Sequence, residues 1–218
     1  MISWGMVPPS NRTGLFILAM TIILTSKEFI SKYNVPESNT FEDSVRVVVT
    51  DERYGISFGE KNYFSAGCTL FTATGYRENT LIGSNNYFGP STVIKNDVLI
   101  GNNNTFDSSS YIGNLSTILN NIKIESNSNI CDLTTIGSYA HIGCLSPIIK
   151  DVKPFSKVYG NPALLKGNVS SKDVKNKFSD EQLKQIELYV KKEKMPEDVT
   201  LITFVDDFSN FSRKKYYL

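Results

Sequence analysis

The chain has 218 residues, 40% of them hydrophobic, and a formal net charge of +1. So balanced a charge offers no electrostatic argument for a nucleic acid or an acidic membrane as partner. The length suits one large domain with appendages, and the three cysteines, Cys68, Cys131 and Cys144, show neither metal spacing nor even pairing, a usage that fits a reducing cytoplasm.

Residues 15–24 (LFILAMTIIL) form the one continuous apolar run. The run is too short to span a bilayer, and no A-x-A-like cleavage site follows it. It is expected to be a buried helix or strand that caps an open end of the fold. Residues 45–49 (VRVVV) read as a strand leading into the first coil of the repeat that begins at Phe58.

From Phe58 to Ile148 every sixth residue is large and apolar: Phe58, Phe64, Leu70, Tyr76, Ile82, Phe88, Ile94, Ile100, Phe106, Ile112, Ile118, Ile124, Ile130, Ile136, Ile142 and Ile148. In one chosen frame this would arise by chance on the order of once in a million. A period of six is neither a helix stripe nor a strand alternation; it is the mark of a parallel β-helix built from hexapeptides. The remaining positions agree. Four residues after each apolar residue stands a small one, such as Cys68, Asn86, Thr92, Asn104 or Ser128, fit for a tight inward corner; Ile122 is the large exception. The residue before that small one must tolerate a left-handed backbone, and Gly67, Asn79, Asn85, Asp97, Asn103, Asn121 and Asn127 supply it. Cys68, in one of the small inward slots, reads as core packing.

Three hexads make one triangular coil, so residues eighteen apart are expected to stack. The columns are then Phe64-Ile82-Ile100-Ile118-Ile136, Leu70-Phe88-Phe106-Ile124-Ile142 and Phe58-Tyr76-Ile94-Ile112-Ile130-Ile148. Outside the Phe64 column lie Tyr63, Leu81, Leu99, Leu119, Thr117 and Thr135 among glycines, a face that asks for a close cover. Outside the Leu70 column lie Thr69, Tyr87, Thr105, Lys123 and His141 on one side, and Phe71, Gly89, Asp107, Glu125 and Gly143 on the other. One sticky face and one polar, ionisable face suggest a cyclic oligomer with polar clefts between subunits. No long loop is evident between coils.

After Ser170 the chain becomes Lys-rich with helical periodicity. Ser179 and Gln182 form a capping-box pattern, Leu183, Ile186 and Val190 share a face, and Pro196 ends the element. Residues 199–205 (VTLITFV) read as a short strand or a lead-in to an aromatic, basic tail at 206–218.

The hexad run together with its close, IGCLSPIIKDVKPFSKVYGNPALLKGNV over 142–169, resembles the hexapeptide-repeat acyltransferases, above all those acting on sugars and nucleotide sugars. The motif V-x-P-x-S-x-V-x-G-N-P-A, at Val152, Pro154, Ser156, Val158, Gly160, Asn161, Pro162 and Ala163, is specific to the way these solenoids end. The helical extension is similar to that of the UDP-N-acetylglucosamine acyltransferases. The resemblance covers about residues 55–169. It implies a mainly β fold: a left-handed parallel β-helix of about five coils over 55–169, with a short N-terminal cap segment over 1–54 and a C-terminal helical extension over 170–218. It also implies a cytoplasmic homotrimer that moves an acetyl or other short acyl group from coenzyme A, without a metal, to an amino or hydroxyl group of a sugar or nucleotide sugar in bacterial surface-polysaccharide synthesis. By the same resemblance Gly143, Gly160, Asn161 and Pro162 line the path of the acetyl-CoA donor, and Lys166 meets one of its phosphates.

Acyl transfer needs a base for the attacking group, and His141 is the single histidine of the chain. It is the expected catalytic residue, with Asp107, Lys123 and Glu125 binding substrate. The family's histidine lies two or more coils before the terminal turn, a stretch where this chain has Asp97, Asn102, Asn103, Asn104 and Asp107 instead. Three readings therefore stay open: His141 acts from an unusual place, a carboxylate such as Asp107 or Glu125 serves as base or holds the substrate amine, or the solenoid is a non-catalytic binding module. Asp107 and Glu125, one coil apart, would repel unless a cation, an amino sugar, a shared proton or Lys123 neutralised them. A γ-class carbonic anhydrase is excluded, because its zinc needs three histidines. A nucleotidyltransferase would need an added α/β domain that residues 1–50 are too short to supply.

Overall fold

The computed structural model describes residues 22–174 and 176–211. The chain winds into a left-handed β-helix with three parallel sheets. The polar sheet is built from Thr40–Phe41, Tyr63–Phe64, Tyr87–Phe88, Thr105–Phe106, Lys123–Ile124, His141–Ile142 and Ser156–Tyr159, with Leu164–Asn168 returning antiparallel at its end. The leucine sheet runs Gly55–Phe58, Asn79–Ile82, Leu99–Ile100, Thr117–Ile118 and Thr135–Ile136. The third sheet runs from Arg46–Val49 through Thr69–Phe71 and Val93–Ile94 to Pro147–Ile148. From Asn85 to Leu145 every corner residue of the hexad frame has φ between 55° and 65°. Asn and Asp accept that turn cheaply, whereas at Leu115, Leu133, Tyr139 and Leu145 it costs roughly 1–2 kcal/mol each, offset by the ladders on either side.

The interior follows the hexad frame. Phe64, Leu70, Phe88, Ile94, Phe106, Ile112, Ile118, Ile124, Ile130, Ile136 and Ile142 are all buried. The polar-sheet column opens on a stack of rings, with Phe41, Phe64, Phe88 and Phe106 spaced 4.7, 4.5 and 4.8 Å between centroids, and then changes to isoleucine. One corner carries an asparagine ladder: the backbone N–H of Asn86, Asn104 and Ile122 donate to the side-chain carbonyls of Asn62, Asn86 and Asn104 at 3.0, 2.9 and 2.8 Å. The amide groups of the same three asparagines donate to Gly83, Gly101 and Leu119 carbonyls. Buried amides thus satisfy the corner backbone that the strands leave unpaired. Cys68 is buried, and burial pushes its thiol up to about 11, which makes it an inert core group.

The stacking of the first coils differs from an eighteen-residue repeat. Phe58 pairs with Ile82, Phe64 with Phe88 and Leu70 with Ile94, each 24 residues on. The hexad holding Tyr76 leaves the coil as a loop over 72–78, and Tyr76 is 80% exposed rather than in a column. A coil lengthened by one full period keeps the frame intact while moving every earlier residue by one face. Phe58 therefore heads the leucine sheet, Tyr63 joins the polar sheet, and Thr69 and Phe71 move to the third sheet. Asn79 lies in a strand, not in a left-handed turn. Asp97 holds the loop: its buried carboxylate accepts from the Thr74 and Arg77 backbone N–H and from the Thr74 hydroxyl.

The sheets extend back to Thr40 and Arg46, into the segment read from sequence as a cap, because these strands pair in parallel with Tyr63–Phe64 and Thr69–Phe71. Ile22–Thr25 adds an antiparallel edge to Arg46–Val49. Helix α1 (Ser26–Lys32), opened by a Thr25–Glu28 capping box, places buried Phe29 over the ring of Phe58. Most of the apolar run at 15–24 lies outside the described residues, as does the tail beyond 211.

At the other end come α2 (Ser171–Val174), α3 (Asp180–Lys192) and α4 (Val199–Phe211). Helix α3 starts on the Ser179–Gln182 capping box and buries Ile186 and Val190. Residues 199–205 are helical rather than a strand, because Leu201, Val205 and Phe208 share a buried face that becomes visible only over the longer span. These helices pack with Phe155 and Val169 in a second apolar cluster. On the leucine sheet Thr117 and Thr135 are buried by the chain's own parts: Arg77 Nη2 donates to Thr117 Oγ1 at 3.0 Å, and Thr135 Oγ1 donates to the Phe211 carbonyl. Leu81 stays 40% exposed. No described helix is long and apolar enough to cross a membrane.

Candidate active site

Parallel pairing puts Thr105, Lys123, His141 and Lys157 in register along one edge of the polar sheet. The residues after the inward Phe106, Ile124, Ile142 and Val158, namely Asp107, Glu125, Gly143 and Tyr159, form the neighbouring column. Side chains on adjacent strands touch, so each column is a continuous polar ribbon.

His141 Nε2 lies 2.9 Å from Glu125 Oε1, and the Lys123 ammonium stands 3.3 Å from the same oxygen. The other oxygen, Oε2, accepts the Cys144 backbone N–H at 3.2 Å. Burial alone would raise the Glu125 carboxyl; hydrogen bonds from His141 and Lys123 outweigh it and hold the group below its ordinary range. Glu125 is therefore ionised at neutral pH and orients the ring. With Nε2–H donated to the carboxylate, Nδ1 carries the lone pair that can take a proton.

Two recesses meet at His141. The first, about 470 Å³, is lined by Glu125, His141, Gly143, Cys144, Lys157, Tyr159 and Gly160. Gly143 keeps it open, since a Cβ there would lie 2.6 Å from Tyr159 Cβ. The second, about 290 Å³, lies between the polar sheet and the start of the C-terminal extension, with Asn121, Lys123, Tyr139, His141, Asp173 and Lys177 on its walls. Lys157 closes the ground between the two through an ion pair of 2.8 Å with Asp173. Burial works against that carboxylate, but Lys157 and Ser170 hold it down to about 2.

The residues singled out from sequence divide accordingly. His141, Lys123, Glu125, Gly143 and Gly160 come together. Asp107 lies one strand away and lines neither recess, and Glu125 turns to His141 and Lys123 instead of facing it across a shared cation. Among the described residues no group of three His, Cys, Asp or Glu side chains is placed to hold a metal. Asn161 and Pro162 are exposed in the terminal turn beyond the first recess, and Lys166 stands at its rim, 5.7 Å above the Tyr159 ring. Of the residues named from sequence over 97–107, Asp97 anchors the loop, Asn104 belongs to the core ladder, Asn103 occupies a left-handed corner, and Asp107 lies on the polar face with Thr105.

Sequence reasoning passed over Cys144, Lys157, Tyr159, Tyr139, Asp173 and Lys177. Lys157 and Tyr159 had a signal: they flank inward Val158 as His141 and Gly143 flank inward Ile142. For Lys177 there was none, since it meets Asn121 across 56 residues of sequence.

No family model matches the sequence, and no curated protein matches it. Solved structures do. LpxA from Acinetobacter baumannii is 24% identical, with a TM-score of 0.63 over 72% of this chain and 69% of that one. LpxA, a UDP-N-acetylglucosamine acyltransferase from Bacteroides fragilis, is 21% identical, with a TM-score of 0.58 over 74% and 69%. A variant of AntD, an N-acyltransferase from Bacillus cereus in complex with dTDP and coenzyme A, is 13% identical, with a TM-score of 0.50 over 72% and 95%. The chain shares the left-handed β-helix fold of these acyltransferases.

Proposed function

We propose that the chain is an acyltransferase that moves an acetyl or other short acyl group from coenzyme A to an amino or hydroxyl group of a sugar or nucleotide sugar, in bacterial surface-polysaccharide synthesis. The observation that carries this reading is His141, held by Glu125 and lining both recesses, on a fold common to acyltransferases. His141 Nδ1 takes the proton of the attacking amine or hydroxyl as the new bond to the acyl carbon forms. It returns that proton to the sulfur as the thioester bond breaks. Glu125 stabilises the imidazolium in between and fixes the tautomer. The recess of Gly143, Tyr159 and Gly160 suits a slender pantetheine arm. Lys166, with the turn at Asn161 and Pro162, stands toward its outer end, where phosphates would lie.

A homotrimer belongs to the same reading. Ser57, Gly59, Leu81, Gly83, Leu99 and Ile100 leave a shallow apolar groove of about 410 Å³ on the leucine sheet, of the kind that a second copy covers. The test is calorimetric titration with acetyl-CoA, followed by free-thiol release in the presence of amino sugars, neutral sugars and nucleotide sugars. Acceptor-dependent thiol release supports the reading; failure of every acyl-CoA to bind overturns it. The competing reading, a non-catalytic binding solenoid, is favoured by one observation, the position of His141 on a late coil, and it predicts ligand binding without thiol release.

A further inference from the structure

The second recess has a charge pattern that proton transfer does not use. Lys177 Nζ donates to Asn121 Oδ1 at 3.2 Å and stands 5.4 Å over the Tyr139 ring, and it forms no ion pair with a carboxylate among the described residues. Lys123 enters from the floor, held only by the long contact to Glu125. The one acid on the wall, Asp173, is already engaged by Lys157 at 2.8 Å and by the Ser170 N–H and hydroxyl at 2.7 and 2.6 Å. Two ammonium groups thus face a concave space whose one carboxylate among the described residues is neutralised from outside it.

The platform beneath Lys177 is fixed. Asn121 and Tyr139 occupy the left-handed corners of successive coils, with φ of 58° and 61°. For a tyrosine that backbone is costly. It is held there because the ring packs against Phe155, Phe178 and Phe204 at 5.8, 4.9 and 5.2 Å. The same packing ties the C-terminal extension to the solenoid, and Lys177, in the turn between α2 and α3, stands next to the anchored Phe178.

We propose that this recess is an anion subsite, in which Lys177, Lys123 and the Asn121 amide hold a phosphate or diphosphate group of the acyl acceptor. The acceptor and the donor then approach His141 from opposite sides, each through its own recess, as a base between two substrates requires. The inference rests on the acyltransferase reading for the words acceptor and donor; the anion subsite itself does not. Coenzyme A also carries phosphates, so the same chemistry has two sources that the experiment must separate.

The experiment is calorimetry with inorganic pyrophosphate on the full chain, alone and at saturating acetyl-CoA, for wild type, Lys177→Gln and Lys177→Arg. Binding of pyrophosphate that persists beside acetyl-CoA, weakens roughly tenfold or more in K177Q and returns in K177R is the expected result, with acetyl-CoA affinity unchanged across the series. Equal pyrophosphate affinity in wild type and K177Q, or no binding at all, overturns the subsite. Competition between pyrophosphate and acetyl-CoA at Lys177 overturns its assignment to the acceptor. Lysine-dependent pyrophosphate binding in a protein that binds no acyl-CoA upholds the subsite and tells against the transferase reading alone.

Discussion

His141 and Glu125 sit diagonally across adjacent coils of the polar sheet, with Nε2 2.9 Å from Oε1; Glu125 lines the first recess and His141 lines both. Neither residue could reach the other within one strand; the coil pitch brings them together. If the pair does proton transfer, His141→Ala lowers kcat by about 10²- to 10⁴-fold while acetyl-CoA binding is kept. Glu125→Gln, which still accepts from Nε2–H, loses less than Glu125→Ala. Steady-state kinetics of the three variants checks this, and wild-type turnover in E125A would remove the orienting role.

Gly143→Ala places a Cβ 2.6 Å from Tyr159 Cβ, so this wall of the first recess must shift. The expected outcome is an increase in KM for acetyl-CoA of roughly tenfold or more, with a much smaller change in kcat, because the lost contacts bind the donor rather than the transition state alone. Unchanged donor KM would place the donor elsewhere.

Asn86→Leu removes a rung of the corner ladder. The buried Asn104 N–H and the half-buried Gly101 carbonyl lose their partners. The loss of stability is expected at about 1–3 kcal/mol per orphaned group, read from the midpoint of chemical denaturation. A variant as stable as wild type would mean that water replaces the amide.

Acid should weaken the tie between the C-terminal extension and the solenoid. The Asp173 carboxyl sits at about 2 in the fold, below its ordinary 3.8, so its contribution to stability is complete above the ordinary value and is lost as pH falls through about 2. Glu125, also lowered, acts in the same direction. Asp173→Asn, which gives up the ion pair to Lys157 at all pH values, is expected to be less stable at pH 7 and to show a shallower loss between pH 4 and 2. Thermal unfolding followed across that range measures it, and parallel curves for variant and wild type would rule out the linkage.

Much of the architecture is legible in the order of residues because a β-helix is a local repeat. Each hexad places its own inward apolar residue, small corner and left-handed turn, so Ile100 or Asn103 can be assigned without knowing any distant contact. The same locality hides the loop at 72–78. It lengthens the coil by six residues, one full period, so Tyr76 satisfies the frame while standing outside it, and the faces of Phe58, Tyr63 and Leu70 are misassigned without any break in the pattern. Helix α4 was missed for the opposite reason: Leu201, Val205 and Phe208 show a helical face only over more residues than the apolar stretch 199–205 contains.

By itself the sequence determined the coil, the core, the left-handed corners and the presence of His141 and Glu125 on one polar face, since each depends on residues one period or one pitch apart. Tertiary structure alone decided which hexads share a face, what covers Thr117 and Thr135, and how the recesses form around His141. Those outcomes depend on contacts such as Lys177 to Asn121 and Phe211 to Thr135, which span 56 and 76 residues. No periodic pattern encodes a contact between two different kinds of element. It exists only once the solenoid has stacked and the helical extension has packed back upon it.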